Sequence, residues 1–279
     1  MAQYINTNIA SLNAQRNLNA SQASLQTSLQ RLSSGLRINS AKDDASGLSV
    51  ATGMTSTING QQVAMRNAND AISLSQVAEG AIGKITDALQ RMRDLAVQAA
   101  NATSSGANLQ TEFTALGSEI LRLAGGTTFN GQAILGANAG TMTFQIGAGT
   151  TTNDSIAVTT TRLDNNATIT AVTGALAGSS VSITTTTLAS TAIGLIDTAL
   201  SLVTTERANY GALQNRFEAV ISNLQVSVEN QTAARSRIMD ADFAAETASM
   251  TRAQILQQAG TAMLAQANQL PNGVLSLLK

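Results

Sequence analysis

The sequence predicts a mainly α protein: a long helical rod with paired terminal coiled-coil helices and a small β-rich insert, a β-hairpin. Three observations carry that reading. Leu18, Leu25, Leu29, Leu32 and Leu36 fall at near-heptad spacing, one apolar stripe between polar neighbours. Ile82, Ile85, Leu89, Met92, Ala96 and Ala99 recur at gaps of three and four, the period of a helix with one buried face. Residues 141–146 (TMTFQI) and 154–159 (DSIAVT) alternate polar and apolar around a span containing Gly147, Gly149 and Asn153, as a hairpin requires.

Helix is predicted over residues 5–38, where Ile5, Ile9 and Leu12 start the stripe and Gly35 loosens its end. Such a helix has too few large apolar side chains to offset the entropy of its own ordering, so it needs a partner. Residues 39–47 (NSAKDDASG) are polar and rich in capping side chains, which places a hinge there. Helical periodicity resumes by Ser56. Residues 101–106 form a loop, and Phe113, Leu116, Ile120 and Leu123 form a shorter helix that returns as an αα-hairpin. Glycines then crowd residues 125–140, ahead of the hairpin. Residues 159–191 are rich in Thr, Ser, Ala and Gly, with Val181 and Ile183 marking a further short strand.

Helix returns near Ser190, with Ile193, Ile196, Leu200, Val203, Tyr210, Leu213, Phe217, Val220 and Leu224 on one face. Asp240 and Asp242 open a last helix, with acids at the positive end of its dipole. Leu256, Met263 and Leu270 recur every seven residues along it, and Pro271-Asn272-Gly273 is expected to end it. The two terminal helices match in length and character, so each is the other's simplest partner.

Composition narrows the chemistry. The formal net charge is −1, which favours neither nucleic acid nor an acidic membrane surface. No apolar run approaches the length of a membrane span. Cysteine, histidine and tryptophan are absent, so the usual catalytic bases, thiol nucleophiles and thiolate metal sites are unavailable. No enzymatic activity, metal or cofactor is expected. Lys42, Asp43 and Asp44 read as an acid/base cluster or as a capped hinge, and the hinge is favoured. Asp240 and Asp242 read as metal ligands or as a helix N-terminus, and no calcium-loop spacing follows them. Residues 1–6 lack the basic start and apolar run of a secretory signal.

Longer stretches carry a resemblance. Residues 29–48 (LQRLSSGLRINSAKDDASGL) resemble the N-terminal signature of bacterial flagellin. Residues 236–244 (SRIMDADFA), 250–260 (MTRAQILQQAG) and 269–278 (QLPNGVLSLL) resemble its C-terminal signature. The resemblance covers residues 1–148 and 190–279. It implies a subunit polymerising into the extracellular flagellar filament for motility, and leaving the cell by a type III-type export channel without a cleaved signal peptide. Residues 1–44 and 236–279 would form the inner tube. Residues 45–235 would form the helical rod, with 136–189 a short outward-facing Ser/Thr/Gly insert whose hydroxyls are either glycan acceptors or plain solvated surface.

By the same resemblance, partners are further copies of the chain, a flagellar export chaperone and the export apparatus, and hook-associated and cap proteins, with neither nucleic acid nor membrane. The expected assembly seam is Leu18, Leu25, Leu29, Leu32, Leu36, Leu256, Met263 and Leu270. Its alternative is an ordinary core stripe inside one molecule. Residues 90–98 (QRMRDLAVQ) resemble the segment bound by an animal innate-immune receptor, implying contacts from Arg91, Leu95, Gln98 and Glu112, with Asp94 a departure from the pattern. Residues 30–51 resemble a segment sensed by plant immune receptors. A hook–filament junction protein, built on the same terminal helices, is the alternative function. A membrane-active secreted protein is the rival from another class, disfavoured because the termini lack a Lys/Arg-rich polar face.

Overall fold

The computed structural model describes residues 7–101, 106–174 and 181–276, with side chains described through residue 269. The elements in order are α1 (Ile9–Ser34), α2 (Ala45–Ala99), α3 (Gly106–Gly126), β1 (Thr128–Phe129), β2 (Gln132–Ala133), β3 (Thr141–Gln145), β4 (Ser155–Thr159), α4 (Ala167–Thr173), α5 (Thr186–Met239) and α6 (Phe243–Ser276). The chain divides into two compact units, one of residues 1–56 with 229–279 and one of residues 57–228.

The second unit holds the large apolar core. In α2 the residues Ala68, Ala71, Leu74, Ala78, Ile82, Ile85, Leu89 and Met92 are almost wholly buried. They face Phe113, Ile120 and Ala124 of α3, and Ala189, Ala192, Ile196, Ala199, Val203, Tyr210 and Phe217 of α5 belong to the same cluster. Alanine at many of these positions lets helix backbones approach closely. By length and composition α5 is also apolar enough to cross a membrane, although no unbroken apolar run marks it in the sequence. Its buried stripe is occupied by this core.

The β3–β4 hairpin is antiparallel in the register Met142↔Val158 and Phe144↔Ile156. Ile156 and Val158 are buried, and the Phe144 ring meets Phe217 edge-on at 6.0 Å. A second hairpin, Phe129↔Gln132, was not foreseen. It feeds Ile134 and Leu135 into the core, where Ile134 N donates to Thr127 O at 3.0 Å. The short helix α4 was also unforeseen. Asn166 caps it by accepting from Thr168 N, and Ile169 and Val172 bury against the cluster.

Other expectations need correcting. Val181 and Ile183 form no strand; the Ile183 N–H is satisfied by the Gln110 side chain at 2.7 Å. The first helix ends at Ser34 rather than at residue 38, because Gly35 takes φ +70, the left-handed conformation that closes a helix. Helix α6 continues through Pro271 to Ser276. Proline forfeits one ladder bond there, but it does not stop the helix. Residues 1–6 and most of the predicted loop at 101–106 lie outside the described residues.

Among the described residues, the Tyr210 hydroxyl is buried without a hydrogen-bond partner, although the residue is only 1% exposed. Burial, and then the nearby Glu206 carboxylate, push its ionisation upward, so the ring stays neutral. A buried unpaired hydroxyl costs free energy that a phenyl ring does not. Tyr210→Phe is therefore expected to raise stability, by up to about 1 kcal/mol, read as a later midpoint in urea unfolding.

Candidate assembly surface on the paired terminal helices

In the first unit α1 and α6 lie side by side and antiparallel. Asn8 Nδ2 donates to Ala267 O at 2.8 Å, and Ser11 Oγ donates to Asn268 Oδ1 at 2.8 Å. At the other end Arg31 stands 3.7 Å from Glu246. Asn8 also caps α1 by accepting from Ser11 N.

Between these ends the seam alternates large against small. Ser11, Ala14, Leu18, Ser21, Leu25, Ser28 and Leu32 of α1 are turned inward. On α6 the inward residues are Glu246, Met250, Ala253, Gln257, Gly260, Leu264 and Ala267. Both series step by three and four, the repeat of a coiled coil. The fit is tight at its centre: a Cβ on Gly260 would stand 3.2 Å from Leu18 Cδ1. Leucine knobs from α1 therefore meet alanine and glycine on α6.

The structure thus divides the predicted seam residues. Leu18, Leu25 and Leu32 are half-buried on the α6 side, and Leu36 is half-buried in the hinge. Leu29, Leu256 and Met263 are left largely open, at 48%, 51% and 63% exposed, with Leu256 at the edge of a cleft it shares with Ser21 and Ser24 of α1. The Leu270 side chain lies outside the described residues. Phe243 and Ile255 extend the open stripe at 57% and 60% exposed, and neither was singled out in the sequence. Phe243, Ala244, Thr247, Ala248, Thr251, Arg252, Ile255 and Leu256 line one shallow groove along α6. Ala253, Gly260 and Ala267 were missed as seam residues because a search for large apolar side chains passes over them. Their own seven-residue spacing was the available signal.

The hinge is a network of caps. Leu36 bridges Asp240, Arg37 N donates to Met239 O, and Ala241 N donates to Gly35 O. Asp43 Oδ2 accepts from the backbone N–H groups of Asn39 and Ser40 and from the Ser40 hydroxyl. Asp44 Oδ1 accepts from Gly47 N and Ser46 Oγ, at the start of α2. Asp242 caps α6 by accepting from Ala244 N and Ala245 N. Each acid near the hinge thus has a structural partner. Among the described residues, no group of three Asp or Glu side chains is arranged to hold a metal ion.

Hydrogen bonds hold two of these carboxyls below their ordinary values, led by the Asn39 N–H for Asp43 and by the Gly47 N–H for Asp44. Their folded-state values lie below the unfolded 3.8, so their contribution is complete above 3.8 and is lost as pH falls through the depressed values. Amide exchange at Asn39, Ser40 and Gly47 is expected to accelerate below that point, relative to other turns, and to be indifferent to pH-linked loosening above it.

Of the residues in the receptor-like segment, Arg91 and Glu112 form an exposed ion pair at 2.8 Å between α2 and α3. Gln98 is exposed, whereas Leu95 is buried at 1%.

Two terminal helices that pair with each other, and still carry an open apolar stripe, define a class: a helical structural protein. Its similarity to known proteins names the family. Residues 5–140 match the bacterial flagellin N-terminal helical region, and residues 193–278 match the bacterial flagellin C-terminal helical region. The chain is 36% identical to flagellin A of Vibrio anguillarum over 375 aligned positions, covering 99% of each chain. It is 35% identical to flagellin B of Vibrio cholerae over 375 positions, covering all of both. A flagellar hook-associated protein structure from Vibrio parahaemolyticus superposes with a TM-score of 0.58 at 13% identity, covering 71% of this chain and all of that one; the likeness is one of fold alone. The chain belongs to the bacterial flagellin family.

Proposed function

We propose that this chain builds the flagellar filament through its terminal helices. As a flagellin it is a structural subunit that polymerises with copies of itself into a filament on the outside of the cell. In our reading α1 and α6 pair within each subunit through Leu18, Leu25, Leu32 and the small residues opposite them. The open stripe of Leu29, Phe243, Ile255, Leu256 and Met263 then meets neighbouring copies. The observation that carries this is that both helices are already paired, yet still expose large apolar side chains on their outer faces.

The same stripe suits an export chaperone that would cover it before assembly, and passage through the export apparatus would precede release without a cleaved signal. Hook-associated and cap proteins would meet the same terminal helices. Arg91, Gln98 and Glu112 offer an exposed polar patch for a host innate-immune receptor, with Leu95 supporting it from the core. We assign no catalytic role, because flagellins are structural proteins and the acids at the hinge serve as caps.

The test is polymerisation on short filament seeds, followed by electron microscopy. Removing residues 1–35 or 245–279 is expected to abolish growth. Undiminished growth by either truncated chain would overturn the assignment of the terminal helices.

A further inference from the structure

We infer that Asn130 is a site of spontaneous deamidation and isoaspartate formation, favoured by the fold over the chain's other Asn-Gly pairs. Asn-Gly occurs at residues 59–60, 130–131 and 272–273. This dipeptide is the most permissive for the reaction, because glycine puts no side chain in the way of its own amide nitrogen. The fold treats the three pairs differently. Asn59 lies inside α2, and residues 272–273 lie inside the α6 backbone. In a helix each N–H donates to a carbonyl four residues back, so the Gly60 and Gly273 nitrogens are committed to the ladder.

Asn130 and Gly131 are instead the two loop residues of the β1–β2 hairpin. Their φ values are 49 and 78, both in the left-handed region, as a two-residue type I′ turn demands. Asn130 is the one non-glycine residue with positive φ among the described residues. Both residues are exposed, and among the described residues no hydrogen bond holds the Gly131 N–H.

The step needs only water and base. Gly131 N loses its proton and attacks Asn130 Cγ. The N–Cγ bond forms, the Cγ–Nδ2 bond breaks, and the nitrogen leaves as ammonia after taking a proton from solvent. Water then opens the succinimide. Attack at Cγ gives aspartate; attack at the main-chain carbonyl carbon gives isoaspartate, with the backbone rerouted through Cβ and Cγ.

Either product puts a carboxylate into the turn, and isoaspartate also lengthens it by one methylene. Loop length sets hairpin register, and this hairpin leads directly into the buried Ile134 and Leu135. The change therefore falls where a small alteration reaches the core of the second unit.

The experiment incubates the full chain at mildly alkaline pH, with and without denaturing urea, and follows each Asn-Gly peptide by digestion and mass spectrometry. Native protein is expected to modify Asn130 faster than Asn59 by more than about tenfold, since Asn59 must wait for α2 to open. In urea the rates at 130 and 59 should converge, and the intact-mass gain of native protein should largely disappear in Asn130→Gln. Equal native rates at Asn130 and Asn59 would overturn the proposal, and so would a difference that persists unchanged in urea. Peptide mapping of the unsubstituted chain decides the matter even if Asn130→Gln folds poorly.

Discussion

A chain carrying Leu256→Asp and Met263→Asp together is expected to keep its helical circular dichroism and its unfolding midpoint, and to stop growing on filament seeds. Both side chains stay largely open, 51% and 63% exposed, while α6 is already paired. Little is lost within the subunit when they change. Between subunits, each is worth about 1.5–3 kcal/mol when fully buried. A carboxylate in the same place adds the further cost of desolvating a charge. Losing even about 3 kcal/mol per subunit contact raises the concentration needed for growth by more than about a hundredfold. Sedimentation and electron microscopy at the parent's growth concentration provide the measurement. Normal growth by the variant would show that this stripe is not a contact between copies. A collapse of helicity would show instead that the two side chains stabilise the lone subunit.

The second large effect belongs to the other unit. Phe217→Ala is expected to lower unfolding stability by about 3–5 kcal/mol, the usual cost of emptying a buried aromatic site. Phe217 is fully buried on α5, and its ring meets that of Phe144 at 6.0 Å and 76°. That contact ties β3 to α5, so the hairpin should loosen with the helix. A double-mutant cycle with Phe144→Ala should return a coupling of about 0.5–1.5 kcal/mol. Chemical denaturation with an aromatic near-ultraviolet signal would measure both quantities. A loss under about 1 kcal/mol would mean that the core closes over the gap.

Much of the second unit was legible in the residues themselves. Ile82, Ile85, Leu89 and Met92 announce α2 because the side chains that set the period are the ones that are buried. The β3–β4 hairpin was legible by the same logic at a period of two. The β1–β2 hairpin was not, since two-residue strands are too short to alternate; the Asn130-Gly131 turn signal was its one mark. Helix α4 was hidden because, in seven residues of mostly Thr and Ala, Ile169 and Val172 are too short a stripe to show a period. Val181 and Ile183 misled because an alternating apolar pair resembles a strand, whereas the Gln110 side chain supplies the partner that a neighbouring strand would.

On the terminal helices the sequence by itself determined that each is amphipathic and short of core, and hence in need of company. It also placed the capped hinge between α1 and α2. It did not determine which face of α6 would be used. Two stripes run along that helix at the same seven-residue repeat, Ala253-Gly260-Ala267 and Leu256-Met263-Leu270, and periodicity cannot choose between them. Tertiary structure chose the small one, because the facing stripe of α1 brings bulky Leu18 to Gly260, where no side chain stands in its way. Leu256 and Met263 were thereby left largely open, and the open surface of this subunit follows from how its two helices fit.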